Sequence, residues 1–562
     1  MARTHSIQTN FLSGELSPLL HGRVDTERYG DAVETCENFI IKLHGGVERR
    51  GGTHYVAEVK DSSKKVRLIR FEFNRSQSYV LEFGDQYIRF FTQNGQVTSS
   101  GSAYEITSPY TEAQLDEIQV AQSADTMYIV HPDVAPRKLV RTSNTSWALT
   151  APSFTAPKWD ATDKYPRAVV FHQQRLWFGG TNAKPQTIFG SKTDDFENFT
   201  VGTNDDDALE YAIASYKVNT VEWMSSTEVL LVGTAGAEFK VSGGTAALTP
   251  SNVQVTRQTS YGGKNVQPRH IGYQTLFVQG TGTAVRSYEY NWGNDVYESE
   301  DVTFLAEHIG SKVIKDMAYQ MVPDSILWCV MNDGTLAGMT YEKGRKIVGW
   351  HRHTTDGTFE SVCAIPQSSV DQVWVAVKRT INGATKRYVE YLDPDLHVDS
   401  ALTYSGGAIT GITSGGLSHL EGKEVSILGN DAVVPNDTVS SGNVSFGGFS
   451  VTAADIGLPF TSTLKTLPIE GGNPAGTAQG RRKRWNEIYV RLHDSFYPKI
   501  NGIRPPVRTP STGMGNAEPK TTGDVRIQNE GYDLEGQVTI TQDLPGPTHL
   551  LAIFGTLSVH GG

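Results

Sequence analysis

Three clusters in this 562-residue chain have residue types and spacing that could do chemistry. His351 and His353 alternate within Trp350-His351-Arg352-His353, so on a strand both imidazoles share one face and could meet a metal. No Cys, Asp or Glu cluster accompanies them, and packing within a strand is the better reading, because a metal site takes three or four ligands. Asp205-Asp206-Asp207 could attract Ca²⁺, but lacks the spaced ligands and turn glycine of an EF-hand loop and reads as a solvated acidic loop. Arg481-Arg482-Lys483-Arg484 is the strongest basic run. It could touch phosphate or an acidic neighbouring subunit, with Trp485 beside it for base stacking, or serve as a charged strand edge that resists aggregation.

Catalytic arrangements are missing. The sequence has no GxSxG elbow, no HExxH and no P-loop. The Ser-x-Asp-x-Gly-x-Thr-Trp box frequent in sialidase propellers is also absent. The expectation is therefore no catalytic residue, no bound metal and no cofactor. Cys36, Cys329 and Cys363 are too far apart for a CxxC site, and an odd count fits no disulfide framework. They read as buried thiols of a protein made in a reducing cytosol. The net charge of −11 argues against tight phosphate binding, which normally needs a basic surface. No stretch reaches the length of a membrane span, and the N-terminus has no apolar signal region.

The elements that must position these residues are strands. The 56 glycines, 23 tyrosines, 22 phenylalanines and 9 tryptophans suggest short strands joined by tight turns. Short helices are expected only at segments such as Asp25–Asn38 and Thr111–Val120. A pair of strands recurs, each pair centred on an aromatic or aliphatic residue. Marked at Tyr79, Tyr128, Trp177, Leu231, Phe277, Trp328 and Trp374, the steps are 49, 49, 54, 46, 51 and 46 residues. A strand repeat of this length is the signature of propeller blades, which bury their faces only by stacking around an axis. The fold class is mainly β: a β-propeller of roughly seven blades over residues 60–395. A segment at 1–59 precedes it. A small β-barrel or sandwich follows at 396–480, and a C-terminal β-domain at 481–562 packs back on the propeller or on the domain before it. Gly471–Gly476 reads as a linker and Gly502–Lys520 as a Pro/Gly-rich excursion.

The first 53 residues carry a further signal. They contain Phe11, Gly14-Glu15-Leu16-Ser17-Pro18, Gly22-Arg23, Asp25 and Tyr29, then Asn38-Phe39 and Gly45-Gly46-Val47-Glu48-Arg49-Arg50-Gly51-Gly52-Thr53. This resembles the opening of the tail nozzle (tail tubular protein B) family of short-tailed bacteriophages. Gly51 stands where that family usually has Pro. Gln174-Arg175-Leu176-Trp177-Phe178-Gly179-Gly180-Thr181, Asp333-Gly334-Thr335-Leu336 and Gly457-Leu458-Pro459-Phe460 extend the likeness.

The resemblance implies a structural virion protein of the viral tail. It would form a homohexameric ring below the portal and adaptor, carry tail fibres or spikes, and let genomic DNA pass without sequence-specific binding. It would be made in the host cytoplasm and end in the virion tail. The segment 1–59 reads as a docking arm, too irregular to make a core. Gly14, Glu15, Arg23, Asp25, Asn38, Arg49 and Arg50 are its candidate contacts to another subunit or the adaptor; pinning of the first blade within one chain is the competing reading. Two other functions remain open at this stage: a propeller that binds glycans or proteins, and a propeller glycoside hydrolase.

Overall fold

All seven marker residues fall in the second strand of an antiparallel sheet, and all are buried. In a propeller blade this strand is covered on both faces by neighbouring blades, so it reads as a continuous apolar run rather than an alternating one. Gln77–Gly84, Arg175–Gly179, Gln274–Val278 and Ile326–Met331 show that pattern. The computed structural model describes residues 2–156, 158–213, 219–470, 477–506, 516–528 and 531–559. The expected linker at Gly471–Gly476 and the middle of the Gly502–Lys520 excursion lie outside the described residues.

Seven antiparallel blades form a closed ring. Their innermost strands are Arg67–Asn74, Gln119–Ser123, Ala168–His172, Val221–Ser226, Arg269–Ile271, Ile314–Gln320 and Thr358–Gln367. The seventh blade takes its outer strand from near the N-terminus: Gly52–Glu58 pairs antiparallel with Ala384–Asp393, aligning His54 with Tyr391 and Ala57 with Val389. The chain thus begins and ends the ring within one sheet. The strand Gly52–Glu58, assigned from sequence to the leading segment, belongs to the propeller.

Each pair of adjacent blades encloses its own apolar core. Trp177, Ile188, Met224 and Val232 fill one such interface. Trp328, Val330, Val362 and Val375 fill another, and Leu68, Phe91, Trp374 and Val389 seal the last blade against the first. At roughly 1.5–3 kcal/mol for each large side chain removed from water, these interfaces supply most of the stabilisation of the ring.

Two blades continue into the rest of the chain. The outer strand of blade six, Ile347–His353, is extended by Gly14–Glu15 and Ala32–Glu37, then by Ser462–Thr466, Thr539–Gln542 and Lys499–Ile500. Beyond Gly52–Glu58, blade seven is extended by Asp399–Ile409, Val451–Leu458, Glu424–Gly429 and Ala432–Thr438. A third sheet pairs Ala2–Gln8, Phe39–Ile41 and Val47–Arg49 with the C-terminal strands Lys483–Ser495, Thr521–Gln528 and His549–Val559.

The leading segment is therefore no free arm. Phe11, Val33, Cys36, Phe39, Ile41 and Val47 share one core with Trp485, Ile488, Val490, Ile540 and Leu550. It reads as irregular because several of its partner strands lie more than 400 residues away; Ala2 aligns with Val559 and Cys36 with Leu464. The helix expected over Asp25–Asn38 is also corrected. It is one turn at Tyr29–Asp31 followed by the strand Ala32–Glu37, whose β-branched Val33 and Thr35 suit a strand. The Thr111–Val120 expectation corresponds to a 3-10 helix over Glu112–Glu117.

Candidate functional site: the N-terminal motif and the propeller axis

Gly14 and Glu15 insert between blade six and the strand Ala32–Glu37. Gly14 has φ +65°, and a Cβ there would lie 2.4 Å from the Trp350 backbone nitrogen, so glycine is required for this approach. Glu15 is 1% exposed. Its carboxylate accepts from Arg352 Nη2 at 2.7 Å and the Cys36 backbone N–H at 3.2 Å, and meets His308 Nε2 at 2.9 Å. Burial alone would raise its pKa; the hydrogen bonds and charges of His308 and Arg352 outweigh burial and hold it below the usual carboxylate range.

Arg50 is buried and uses all five of its N–H donors. Nη1 and Nη2 each bond a carboxylate oxygen of Asp399 at 2.7 Å. Nε donates to Asn38 Oδ1 at 2.9 Å, and the remaining two reach the carbonyls of Gly51 at 2.9 Å and Thr354 at 2.8 Å. Its guanidinium also stacks 3.8 Å above the Phe460 ring. Asn38 completes the junction by donating to Thr354 Oγ1 and to the Thr461 carbonyl. Arg49 donates to the carbonyls of Phe460 at 2.7 Å and Gly546 at 2.9 Å, and to that of Leu544.

A second buried pair lies nearby. Arg379 bonds both oxygens of Glu390 at 2.9 and 2.7 Å, and Thr53 donates to the same carboxylate at 2.5 Å. The departure at Gly51 also acquires a physical reason. A Cβ there would fall 2.1 Å from the Asp393 carbonyl oxygen, so this chain has no room for a proline ring.

Gly14, Glu15, Asn38, Arg49 and Arg50 were expected at a docking surface. They are buried instead, because desolvated ions are tolerable when their partners are supplied, and here this chain supplies all but one: only Arg49 Nε lacks a hydrogen-bond partner among the described residues. Only Arg23 and Asp25 of that set lie outside. They form a 2.8 Å ion pair with side chains 57% and 65% exposed. Sequence reasoning missed Asp399, Arg352, His308, Arg379 and Glu390. A signal did exist: Glu390 interrupts the apolar run Tyr388–Tyr391, Arg379 follows the run Val373–Val377 at an inward position of the same strand, and a charge at an inward strand position needs a partner.

The basic run divides along its strand. Lys483 is buried and donates Nζ to the Leu534 carbonyl at 2.9 Å; Trp485 is buried and donates Nε1 to Gly536 at 2.8 Å. Base stacking on Trp485 is thus excluded. The strand is not an edge either, since Lys483 pairs with Val559 on one side and Asp533 on the other. Arg481 and Arg484 are half-buried, and Arg482 alone is exposed.

His351 Nδ1 and His353 Nε2 lie 2.6 Å apart, one donating to the other, in full burial. Burial pushes the His351 pKa down to about 3 and that of His353 well below normal, so both rings are neutral. Among the described residues no three His, Cys, Asp or Glu side chains gather to hold a metal. The backbone carbonyls of Asp205 and Asp207 accept from buried Arg175 at 2.6 Å each, while Asp206 reaches Lys192 at 3.0 Å. The three cysteines are buried free thiols.

The inner strands of all seven blades line a cavity of about 590 Å³ on the ring axis. At one face of blades four and five, Tyr273 and Trp292 stand 75% and 87% exposed beside Tyr290 and Tyr297. No helix among the described residues is long and apolar enough to cross a membrane.

The sheets define the class: a seven-bladed β-propeller whose first and last segments build a composite β-sandwich on its rim. Residues 153–329 match the model of the bacteriophage nozzle protein family, a stretch running from blade three into blade six. This match supports a bacteriophage structural tail protein, in line with the family that the N-terminal motif resembles. No curated protein matches its sequence. Among solved structures it is similar to the RRP9 WD40 repeats, at 8% identity and TM-score 0.40, covering 62% of this chain and 100% of that one. It is also similar to the beta-propeller domain of Cps50 (Swd1) from Myceliophteria thermophila, at 8% identity and TM-score 0.38, covering 60% and 99%. The blade count rests on the sheets themselves and not on these likenesses.

Proposed function

We propose that this chain is the repeating subunit of a tail nozzle, a homohexameric ring below the portal and adaptor through which genomic DNA is retained and then ejected. The nozzle-family match over residues 153–329 carries the reading. The geometry is compatible in one specific way. An axial cavity of about 590 Å³ is of small-molecule size, so duplex DNA has no path through a single propeller. The DNA channel is then a space between copies, with rigid propellers as its walls. A net charge of −11 lets phosphate slide past such a wall without being held.

The exposed Tyr273 and Trp292 are the candidate contact for fibres or spikes, since large aromatics on an otherwise charged surface anchor interfaces. Arg23 with Asp25, and Arg482, are the candidate charged contacts to neighbouring subunits or the adaptor. No residue is assigned a chemical step. Imaging of purified tails tests the whole reading: six copies of this chain are expected in an annulus below the portal, and tails lacking that annulus overturn it.

A further inference from the structure

We propose that the axial cavity of the propeller binds a small oxyanion of phosphate or carboxylate type, held by Arg269 with Arg70. The inference is independent of the tail role. Three guanidinium groups line this cavity, Arg67, Arg70 and Arg269, against two carboxylates, Glu72 and Asp316. The partners of four of these groups are accounted for. Arg67 Nη1 donates to the carbonyls of Leu115 at 2.9 Å, Asp116 at 3.1 Å and Ile118 at 2.8 Å, and Nη2 lies 3.7 Å from Asp316. Asp316 accepts from Ser361 Oγ at 2.7 Å and from the Val362 backbone N–H at 3.3 Å. Arg70 pairs with Glu72.

Arg269 is different. Its Nε donates to the Met317 carbonyl at 2.8 Å, and its two Nη groups have no acceptor among the described residues. The cavity therefore carries one positive charge in excess. None of the three other titratable wall groups compensates: burial raises the Tyr319 hydroxyl above its usual value of 10, so it too stays neutral. Burial raises the Cys363 thiol to about 12, so it holds its proton. His270 is kept neutral by burial and by Arg269, and a neutral ring removes no charge.

Arg269 is half-buried with free donors at the cavity wall, and the planar fork of Arg matches two oxygens of a phosphate or carboxylate. Arg70, pinned at one end by Glu72, supplies a second cation to the same space. A bound oxyanion would link the inner strands of blades one and five across the axis, where no side-chain ion pair among the described residues does so.

The test uses the full chain in buffer free of oxyanions, titrated by calorimetry and thermal denaturation with inorganic phosphate and, separately, succinate, against chloride of equal ionic strength. One saturable site per chain and a rising Tm are expected, with affinity reduced about tenfold or more in Arg269→Gln. Responses no larger than those to chloride, or an Arg269→Gln response equal to wild type, overturn the proposal. A second measurement needs no variant. Wild-type crystals soaked in selenate are expected to show anomalous density within hydrogen-bonding distance of Arg269, and a cavity without that density overturns it as well.

Discussion

Arg50 and Asp399 stand 349 residues apart in sequence and meet in a two-pronged ion pair, with both side chains 1% exposed. The pair joins the end of the leading segment to the first strand beyond the propeller, beside the ring closure at Gly52. Removing one member leaves an unpaired buried charge, which costs about 3–5 kcal/mol, whereas replacing both by apolar groups of similar size is often tolerated. Asp399→Ala should therefore lower unfolding free energy by about that amount in urea titrations. Arg50→Met with Asp399→Leu should recover a large part of it. A double variant as unstable as the sum of the single changes would show that the five hydrogen bonds of Arg50, not the charge pair, hold the junction.

Deleting Met1–Val24 removes the strand Ala2–Gln8 from its pairing with His549–Val559, Phe11 from the sandwich core and Glu15 from Arg352. The truncated chain is expected to melt far earlier than the full chain or to stay insoluble. A truncated chain with unchanged Tm that no longer enters tails would restore the docking-arm reading.

Acid should act through the same junction. Glu15 and Asp399 are both held below their ordinary values of 4.5 and 3.8, because the contacts of His308 and Arg352 at Glu15, and those of Arg50 and Arg379 at Asp399, together outweigh a larger single effect of burial. A depressed folded pKa gives stability that is complete above the unfolded value and is lost as pH falls through the folded one. Stability should thus hold down to about pH 5 and decline below pH 4.5, and Glu15→Gln should flatten part of that decline. Denaturant titrations from pH 7 to pH 3 read this directly. An unchanged slope in Glu15→Gln would remove Glu15 from the account.

Gly51→Pro, which would restore the residue usual in the resembling family, should destabilise this chain. Overpacking against backbone costs about 1–3 kcal/mol or more, and a ring at this position meets the Asp393 carbonyl. A variant that melts at the wild-type temperature would show that the Asp393–Pro394 turn can shift.

The propeller was legible because its second strands are covered on both faces, which forces Trp177, Leu231, Phe277, Trp328 and Trp374 to recur at near-constant spacing. The sandwich was not. Its core joins Phe11 and Val47 to Ile488 and Leu550, and no local pattern announces a partner at the far end of the chain. The motif residues were found but misplaced for a related reason. Charges beside glycines look like a surface until the carboxylates that bury them are known, and Asp399 and Glu390 carry no mark in sequence beyond sitting among apolar neighbours. The blade repeat predicts packing within a sheet, whereas the junction depends on which sheets are extended.

One buried carboxyl should behave in the opposite sense to Glu15. Glu82 lies in the second strand of blade one at 0% exposure. Tyr87 donates its hydroxyl to Oε1, and Oε2 has no hydrogen-bond partner. Burial raises its pKa from 4.5 to about 7, against the lowering effects of Tyr87 and the nearby Arg89 charge. A raised folded pKa means that the fold favours the protonated form. Its contribution is complete below pH 4.5, declines between pH 4.5 and 7, and is gone above that range. The total is on the order of 3 kcal/mol. Glu82→Gln keeps an acceptor for Tyr87 and removes the ionisation. The variant should match wild type near pH 4 and exceed it in stability at pH 8 by an amount approaching that total. The measurement is the difference between wild-type and variant unfolding free energies at pH 4, 6 and 8, which cancels the other titrating groups. A difference that stays constant across this range would mean that Glu82 ionises in the folded chain as it does in water.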